Sequence, residues 1–259
     1  MSTRFTRAIV RPPAPSYAAG ITTSTEGAPD VALAVQQHEA YVQALIGLGL
    51  AITRLPAEDA YPDSTFVEDT AVVTPTAAIL TRPGAASREG EVQSMAPVLQ
   101  AAFGGFARIE APGTVDGGDI CETDSGVLIG VGARTNLAGG EQLAAHLAKL
   151  GLASEIVDIT PIAGLLHLKT GISYLGEGRM AVAPELTGLP CLTRYETVVL
   201  TPQEAYAANC IRVNDTVLIA AGYPRFAEAL DKLGYKTLAL DMSEFRKMDG
   251  GLSCLSLRF

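Results

Sequence analysis

Cys254 ends the stretch Lys247-Met248-Asp249-Gly250-Gly251-Leu252-Ser253-Cys254, close to the end of a 259-residue chain. A thiol just past a Gly-Gly turn is well placed to face a pocket, where as thiolate it would be a strong nucleophile. Such chemistry needs a proton carrier and a group to orient it. His167, in Leu165-Leu166-His167-Leu168-Lys169-Thr170-Gly171, is one of three histidines. The others, His38 and His146, fall inside helical patterns and read as packing or surface residues. Asp116, in Thr114-Val115-Asp116-Gly117-Gly118-Asp119, offers the orienting carboxylate. A fourth stretch, Tyr61 to Thr70, places Asp63, Glu68 and Asp69 within seven residues of one another, just before a strand. Taken singly, each has an ordinary explanation: a small core thiol, a structural imidazole, capping or solvated carboxylates. Taken together they supply nucleophile, proton shuttle, orienter and an acidic floor suited to a cation.

Composition agrees with a cationic ligand. The net charge is −9 and hydrophobic residues make up 48%, which argues against nucleic acid and acidic lipid as partners and allows a large core. The four cysteines, Cys121, Cys191, Cys210 and Cys254, show no C-x-x-C spacing. That argues against a structural zinc or disulfide framework and for a reducing, cytoplasmic setting. Met1 to Arg7 leads straight into strand-like Ala8-Ile9-Val10, so no signal peptide is expected. No apolar run approaches the roughly 20 residues of a bilayer span.

The elements that must position these residues follow one grammar: hairpin, amphipathic helix, glycine stop, single strand. The first helix starts near Asp30, has Val31, Val35, His38, Val42, Leu45 and Ile46 on one face, and stops at Leu48-Gly49. The second carries Val92, Met95, Leu99 and Phe103, with Pro97 inside predicting a kink or early break. Hairpins begin near Thr70, Asp119, Gly171 and Asn209; the fourth unit has a stunted helical part around Pro190. Repeats of 40–50 residues suggest a ring. Pairing the opening strand Phe5–Arg11 with the terminal strand Leu252–Phe259 would supply a fifth hairpin and close it. The expected fold is therefore α/β: one domain, residues 1–259, as a five-unit propeller.

The ordered set Phe66-Val67-Glu68-Asp69-Thr70, Thr81-Arg82-Pro83-Gly84-Ala85 with Ser87-Arg88, Val115-Asp116-Gly117-Gly118-Asp119, Val131 to Asn136, His167 and Asp249 to Cys254 resembles the dimethylarginine dimethylaminohydrolases. These belong to the guanidino-modifying superfamily, whose fold is a five-unit pseudo-symmetric α/β propeller, the pentein. The resemblance runs from near residue 20 to the end. It implies Cys254 as nucleophile, His167 as acid and base, and Asp116 as orienter. It implies that Asp69 and Glu68 clasp the guanidinium, with Phe66 also at the substrate, and that Arg88 and Arg134 face the α-carboxylate. Asp63 and the carbonyls of Ile21 and Met248 would receive the α-ammonium. The reaction implied is hydrolysis of N-omega-methylated arginine to citrulline and a methylated amine through a covalent thiouronium, with no metal or organic cofactor; a homodimer is compatible with it. The Gly-flanked segment Ala18 to Ala28 reads as a mobile lid. Ile21 and Met248 depart from the residues common in the family, which bears on substrate choice. The rival readings are an arginine deiminase or citrulline hydrolase of the same superfamily, and a non-catalytic propeller.

Overall fold

The computed structural model describes residues 4–259. In chain order the elements are β1 (Arg7–Val10), α1 (Val31–Gly47), β2 (Ala51–Arg54), β3 (Ala71–Val73), β4 (Ala78–Leu80), α2 (Val92–Phe103), β5 (Ala107–Arg108), β6 (Ile120–Thr123), β7 (Gly126–Val131), α3 (Leu137–Lys149) and β8 (Ser154–Asp158). They continue with α4 (Leu168–Gly171), β9 (Ile172–Gly176), β10 (Arg179–Val182), β11 (Glu196–Val199), β12 (Ile211–Val213), β13 (Thr216–Ala220), α5 (Pro224–Lys232), β14 (Lys236–Leu240), α6 (Ser243–Arg246) and β15 (Leu257–Arg258). The strands make five three-stranded sheets of one design. In each, the middle strand pairs antiparallel with one neighbour and parallel with the other, as β7 does with β6 and β8. A parallel neighbour requires a crossover, which a helix usually supplies. Between β10 and β11 the crossover is two short 3₁₀ turns, Pro184–Leu186 and Pro190–Arg194, as the stunted fourth helix predicts. The chain's two ends pair as expected: Ala8 lies opposite Arg258 and Ile9 opposite Leu257.

The chain divides into two compact units, one of residues 68–208 and the other of residues 4–67 with 209–259. The first holds three sheets. Its core includes Val115, Ile129, Leu143 and Leu147, all shut off from solvent. Each such leucine contributes about 1.5–3 kcal/mol by leaving water. The second unit holds the sheets of β1 and β13. Its core includes a three-ring contact of Tyr17, Phe66 and Phe245, with centroids 5.9–6.3 Å apart. Among the described residues no helix is long and apolar enough to cross a membrane.

Three local expectations need correction. Helix α1 starts at the Asp30 cap, whose carboxylate accepts the Ala32 and Leu33 N–H groups, but Val35 and Ile46 are exposed. The buried face is Ala34, Gln37, His38, Tyr41, Val42 and Leu45. Its polar members hid it from a hydrophobic pattern; Gln37, for one, is buried because it bonds Ser243 and the Glu244 N–H. Helix α2 does not break early at Pro97, one of the two outcomes expected there, but continues to Phe103 with Gly104 as its cap at φ 75°; Met95 and Leu99 on either side of the proline are buried. Finally, Leu252–Phe259 is not one strand. Ser253–Leu255 is a 3₁₀ turn and only Leu257–Arg258 pairs. The Ser253 N–H goes to Asn209 Oδ1 at 3.0 Å and the Cys254 N–H to the Gly251 carbonyl at 3.2 Å, so this backbone is satisfied within a turn and not a ladder.

Candidate active site

The chemistry-bearing residues fall into two groups, one in each unit. In residues 68–208 the group is built around His167, which caps the start of α4. Its Nε2 donates to Asp116 Oδ2 at 3.0 Å. Asp116 is fully buried. Its Oδ1 accepts the Gly84 N–H at 2.7 Å, and its own N–H goes to Thr135 Oγ1 at 3.1 Å. The carboxylate is thus fixed before it fixes the imidazole. Arg134 Nη1 lies 3.8 Å from the same Oδ2.

The Asp-Gly-Gly-Asp run owes its glycines to crowding. A Cβ on Gly117 would fall 1.9 Å from the Glu68 carbonyl oxygen. One on Gly118 would fall 2.7 Å from His167 Nδ1 and 3.1 Å from Asp69 Oδ1. Without a side chain, Gly118 brings its N–H to Asp69 Oδ1 at 2.8 Å. Asp69 Oδ2 takes Arg88 Nη1 at 2.5 Å, while Nε and Nη2 of Arg88 go to Glu91 at 2.9 and 2.8 Å. Glu68 pairs with Lys169 at 2.5 Å. Arg88 and Glu68 are thus both held by protein partners, pairings that residue spacing alone did not reveal.

The electrostatics follow from this crowd. Burial alone would strip His167 of its proton, but Asp69, Asp119 and Asp116 outweigh it and raise its pKa to about 9. Burial works against the charge of Asp69 too; His167, Arg88 and the Gly118 N–H prevail and hold it down to about 2. Near neutrality the site is an imidazolium among carboxylates. Ligand-capable atoms of Asp69, Asp116 and His167 lie within 4.8 Å of one another. Of these carboxylates, Asp69 takes Arg88 Nη1 on Oδ2 and Asp116 takes His167 Nε2 on Oδ2.

The second group lies in residues 4–67 and 209–259. Three of the four cysteines are buried; Cys254 is half-buried. Its sulfur lies 3.9 Å from Asn209 Nδ2 and 3.9 Å from Ser253 Oγ. The Gly-Gly turn before it is packed tightly: a Cβ on Gly250 would meet the Phe66 ring at 2.3 Å, and one on Gly251 the Asn209 side chain at 2.4 Å. Phe66 is therefore a packing residue under that turn, whatever else it touches. Both oxygens of buried Asp63 accept the Ile21 N–H, at 3.2 and 3.1 Å. A Cβ on Gly20 would strike both Asp63 and the tip of Met248, so Asp63, Ile21 and Met248 are neighbours. Ile21 is exposed and Met248 buried. The lid segment is tied to the chain ahead of Cys254. Thr23 donates to Asp249 from its N–H at 2.6 Å and its hydroxyl at 3.0 Å; Thr22 Oγ1 reaches the Lys247 carbonyl at 2.9 Å; Arg246 pairs with Glu26 at 2.7 Å. Asp249 holds φ at 56°, unusual for a residue with a Cβ.

Sequence reasoning missed Asn209, Thr135 and the tether of Asp249. Asn209 stood at the predicted start of a hairpin, and the run Asp249-Gly250 at a turn; nothing in the spacing gave either a partner.

Comparison with known proteins is consistent across sequence and structure. Residues 59–197 match the family model described as arginine deiminase. The chain is 44% identical to N(G),N(G)-dimethylarginine dimethylaminohydrolase of Pseudomonas aeruginosa, over 98% of this chain and 100% of that one. It is 36% identical to the protein of the same name from Streptomyces coelicolor, over 97% and 96%. A solved structure of the Pseudomonas aeruginosa enzyme, a variant complexed with citrulline, superposes with a TM-score of 0.96 over 99% of this chain and 100% of that one. The N-terminal domain of ArgZ, a cyanobacterial arginine dihydrolase, superposes with a TM-score of 0.85 at 20% identity over 99% and 97%, a likeness of fold alone. The five like sheets are those of a five-unit pseudo-symmetric α/β propeller.

Proposed function

The chain belongs to the dimethylarginine dimethylaminohydrolase family, and we propose from that premise that it hydrolyses N-omega-methylated arginine to citrulline and a methylated amine. The observation that carries the reading is the fully buried Asp116 bonded to His167 at 3.0 Å within a set of carboxylates that keeps the imidazole charged. A charged imidazole is what departure of an amine requires.

The steps then balance. Cys254, as thiolate, forms a C–S bond to the central guanidinium carbon. The C–N bond to the methylated nitrogen breaks, and His167 gives that nitrogen its proton. The product of this half is an S-alkylthiouronium on Cys254. Neutral His167 then takes a proton from water, the resulting hydroxide adds to the same carbon, and the C–S bond breaks as the added hydroxyl gives up its remaining proton to solvent, leaving citrulline and the thiolate. Asp116 holds the ring throughout. Asp69 and Glu68 present carboxylates to the guanidinium N–H groups, which fixes the carbon and favours a cationic substrate. Arg134, and Arg88 in so far as Asp69 and Glu91 release it, answer the α-carboxylate; Asp63 and the carbonyls of Ile21 and Met248 answer the α-ammonium. The segment 18–28 covers the bound substrate as a lid. The reading takes residues 1–259 as one catalytic domain acting in the cytoplasm.

The arginine deiminase match favours a second reading, release of ammonia from unmodified arginine. Incubation with asymmetric dimethylarginine, monomethylarginine, arginine and citrulline in separate assays decides between them. Citrulline and dimethylamine from the first substrate is the expected result; turnover of arginine alone would overturn it.

A further inference from the structure

Asp119 has no part in the reaction just described, yet it is fully buried and stands where both halves of the His167–Asp116 pair can be held. Its N–H donates to the Asp116 carbonyl at 3.1 Å. Its Oδ1 accepts the N–H of Leu168, the residue after His167, at 2.9 Å. Gly130 leaves room for it: a Cβ there would meet Asp119 Oδ1 at 3.3 Å and the Leu168 Cβ at 2.8 Å. Oδ2 has no hydrogen-bond partner among the described residues, an arrangement that is costly for a buried carboxylate unless a nearby charge compensates it. The charge of His167, with the Thr135 hydroxyl and the Leu168 N–H, is what offsets that burial.

We propose that Asp119 is the positioning residue of the acid–base pair: one amino acid that clamps Asp116 through its backbone and the His167 segment through its carboxylate, and that helps retain the proton on the ring. This rests on the reading of His167 as the general acid. Other groups act on the same ring or its partner. Asp116 is bonded to it, Asp69 lies across Gly118 with Arg88 behind, Arg134 approaches Asp116, and Lys169 with Glu68 follows on α4. Asp119, with Asp69 and Asp116, raises the proton affinity of His167 against its burial. Burial pushes Asp119 itself up to about 6, so its charge, and with it the hold on the proton, fades as the solution is acidified.

Asp119→Asn keeps an oxygen for the Leu168 N–H and removes only the charge. In the full-length protein labelled with ¹⁵N, the His167 titration followed by NMR is expected to move down by roughly one pH unit. The alkaline limb of kcat/KM for dimethylarginine is expected to move with it, and Asp119→Glu to restore both in part. An unchanged His167 titration in folded Asp119→Asn would overturn the proposal. If that variant does not fold, the assigned ¹³C carboxyl resonance of Asp119 in the unaltered protein decides. Titration near pH 6 with a matching perturbation of His167 supports the clamp; an ordinary aspartate titration that leaves His167 unmoved overturns it. Absence of methylarginine turnover would remove the functional reading, while the NMR titration would still report on Asp119.

Discussion

Around His167 charged groups meet at short range: Arg88 on Asp69 and Lys169 on Glu68 at 2.5 Å, the imidazole on Asp116 at 3.0 Å. Around Cys254 the sulfur's contacts with Asn209 and Ser253 are 3.9 Å each, and segment 18–28 is held by surface threonines, Asp249 and an exposed Glu26–Arg246 pair. The first region is built to hold a proton at a fixed place. The second leaves a half-buried thiol in the same unit as a surface segment held by polar contacts. On the proposed function, a buried imidazole bonded to Asp116 should lose activity when its geometry or charge is disturbed, whereas the Cys254 region should lose chemistry when the sulfur goes and affinity when the contacts of segment 18–28 go.

That contrast can be broken or sharpened in order of expected effect. Cys254→Ser should reduce kcat for dimethylarginine by roughly a thousandfold or more; near-normal turnover would take the thiol out of its role. Asp116→Asn, measured in the same assay, should cost about a hundredfold to ten-thousandfold in kcat with KM little altered, because the ring loses its orienting charge. Gly118→Ala should fall roughly tenfold to a hundredfold, since its Cβ would displace the imidazole; activity equal to the parent would show that the ring can be shifted freely. In the second region Asp249→Ala should chiefly raise KM, by about threefold to tenfold, as charge-assisted bonds worth about 1.5–3 kcal/mol each are partly replaced by water. A fall in kcat with unchanged KM would show that Asp249 acts on the sulfur and not on the lid.

The pH dependence separates the regions as well. The folded-state pKa of His167 is raised from 6.5 to about 9, so its contribution to stability is complete below 6.5 and is lost as pH climbs through 9. Asp69 runs the opposite way: lowered from 3.8 to about 2, it stabilises above 3.8 and ceases to as pH falls toward 2. Thermal melts of the parent and His167→Gln should therefore differ most at or below pH 6.5 and converge above pH 9. A gap that stays constant to that pH would contradict the charged imidazole.

Much of this was legible from residue order. Glycine stops and hairpin turns are local, so five repeats could be counted, and the partnering of Phe5–Arg11 with the last strand followed from two unpaired ends. The Asp116–His167 pair was legible because a carboxylate and an imidazole have obvious complementary chemistry. The rest depended on contacts between distant segments. Arg88 stands three residues before Glu91 but nineteen after Asp69, and only folding makes both its partners. Val35 and Ile46 looked like core because Ala34, Gln37 and Tyr41 were not recognised as the rest of the buried face. Cys254 was read on a strand because its 3₁₀ turn is set by the Asn209 side chain, forty-four residues away along the chain.

The central claim is that the sulfur of Cys254 takes the substrate's carbon in a covalent bond. Acid quenching of the enzyme during turnover of dimethylarginine, followed by mass spectrometry of the Cys254 peptide, tests it most directly. The account predicts a fraction of that peptide heavier by the amidino-bearing remainder of the substrate, lost again once substrate is exhausted. An unmodified Cys254 peptide throughout active turnover, or the added mass on any other residue, would contradict it.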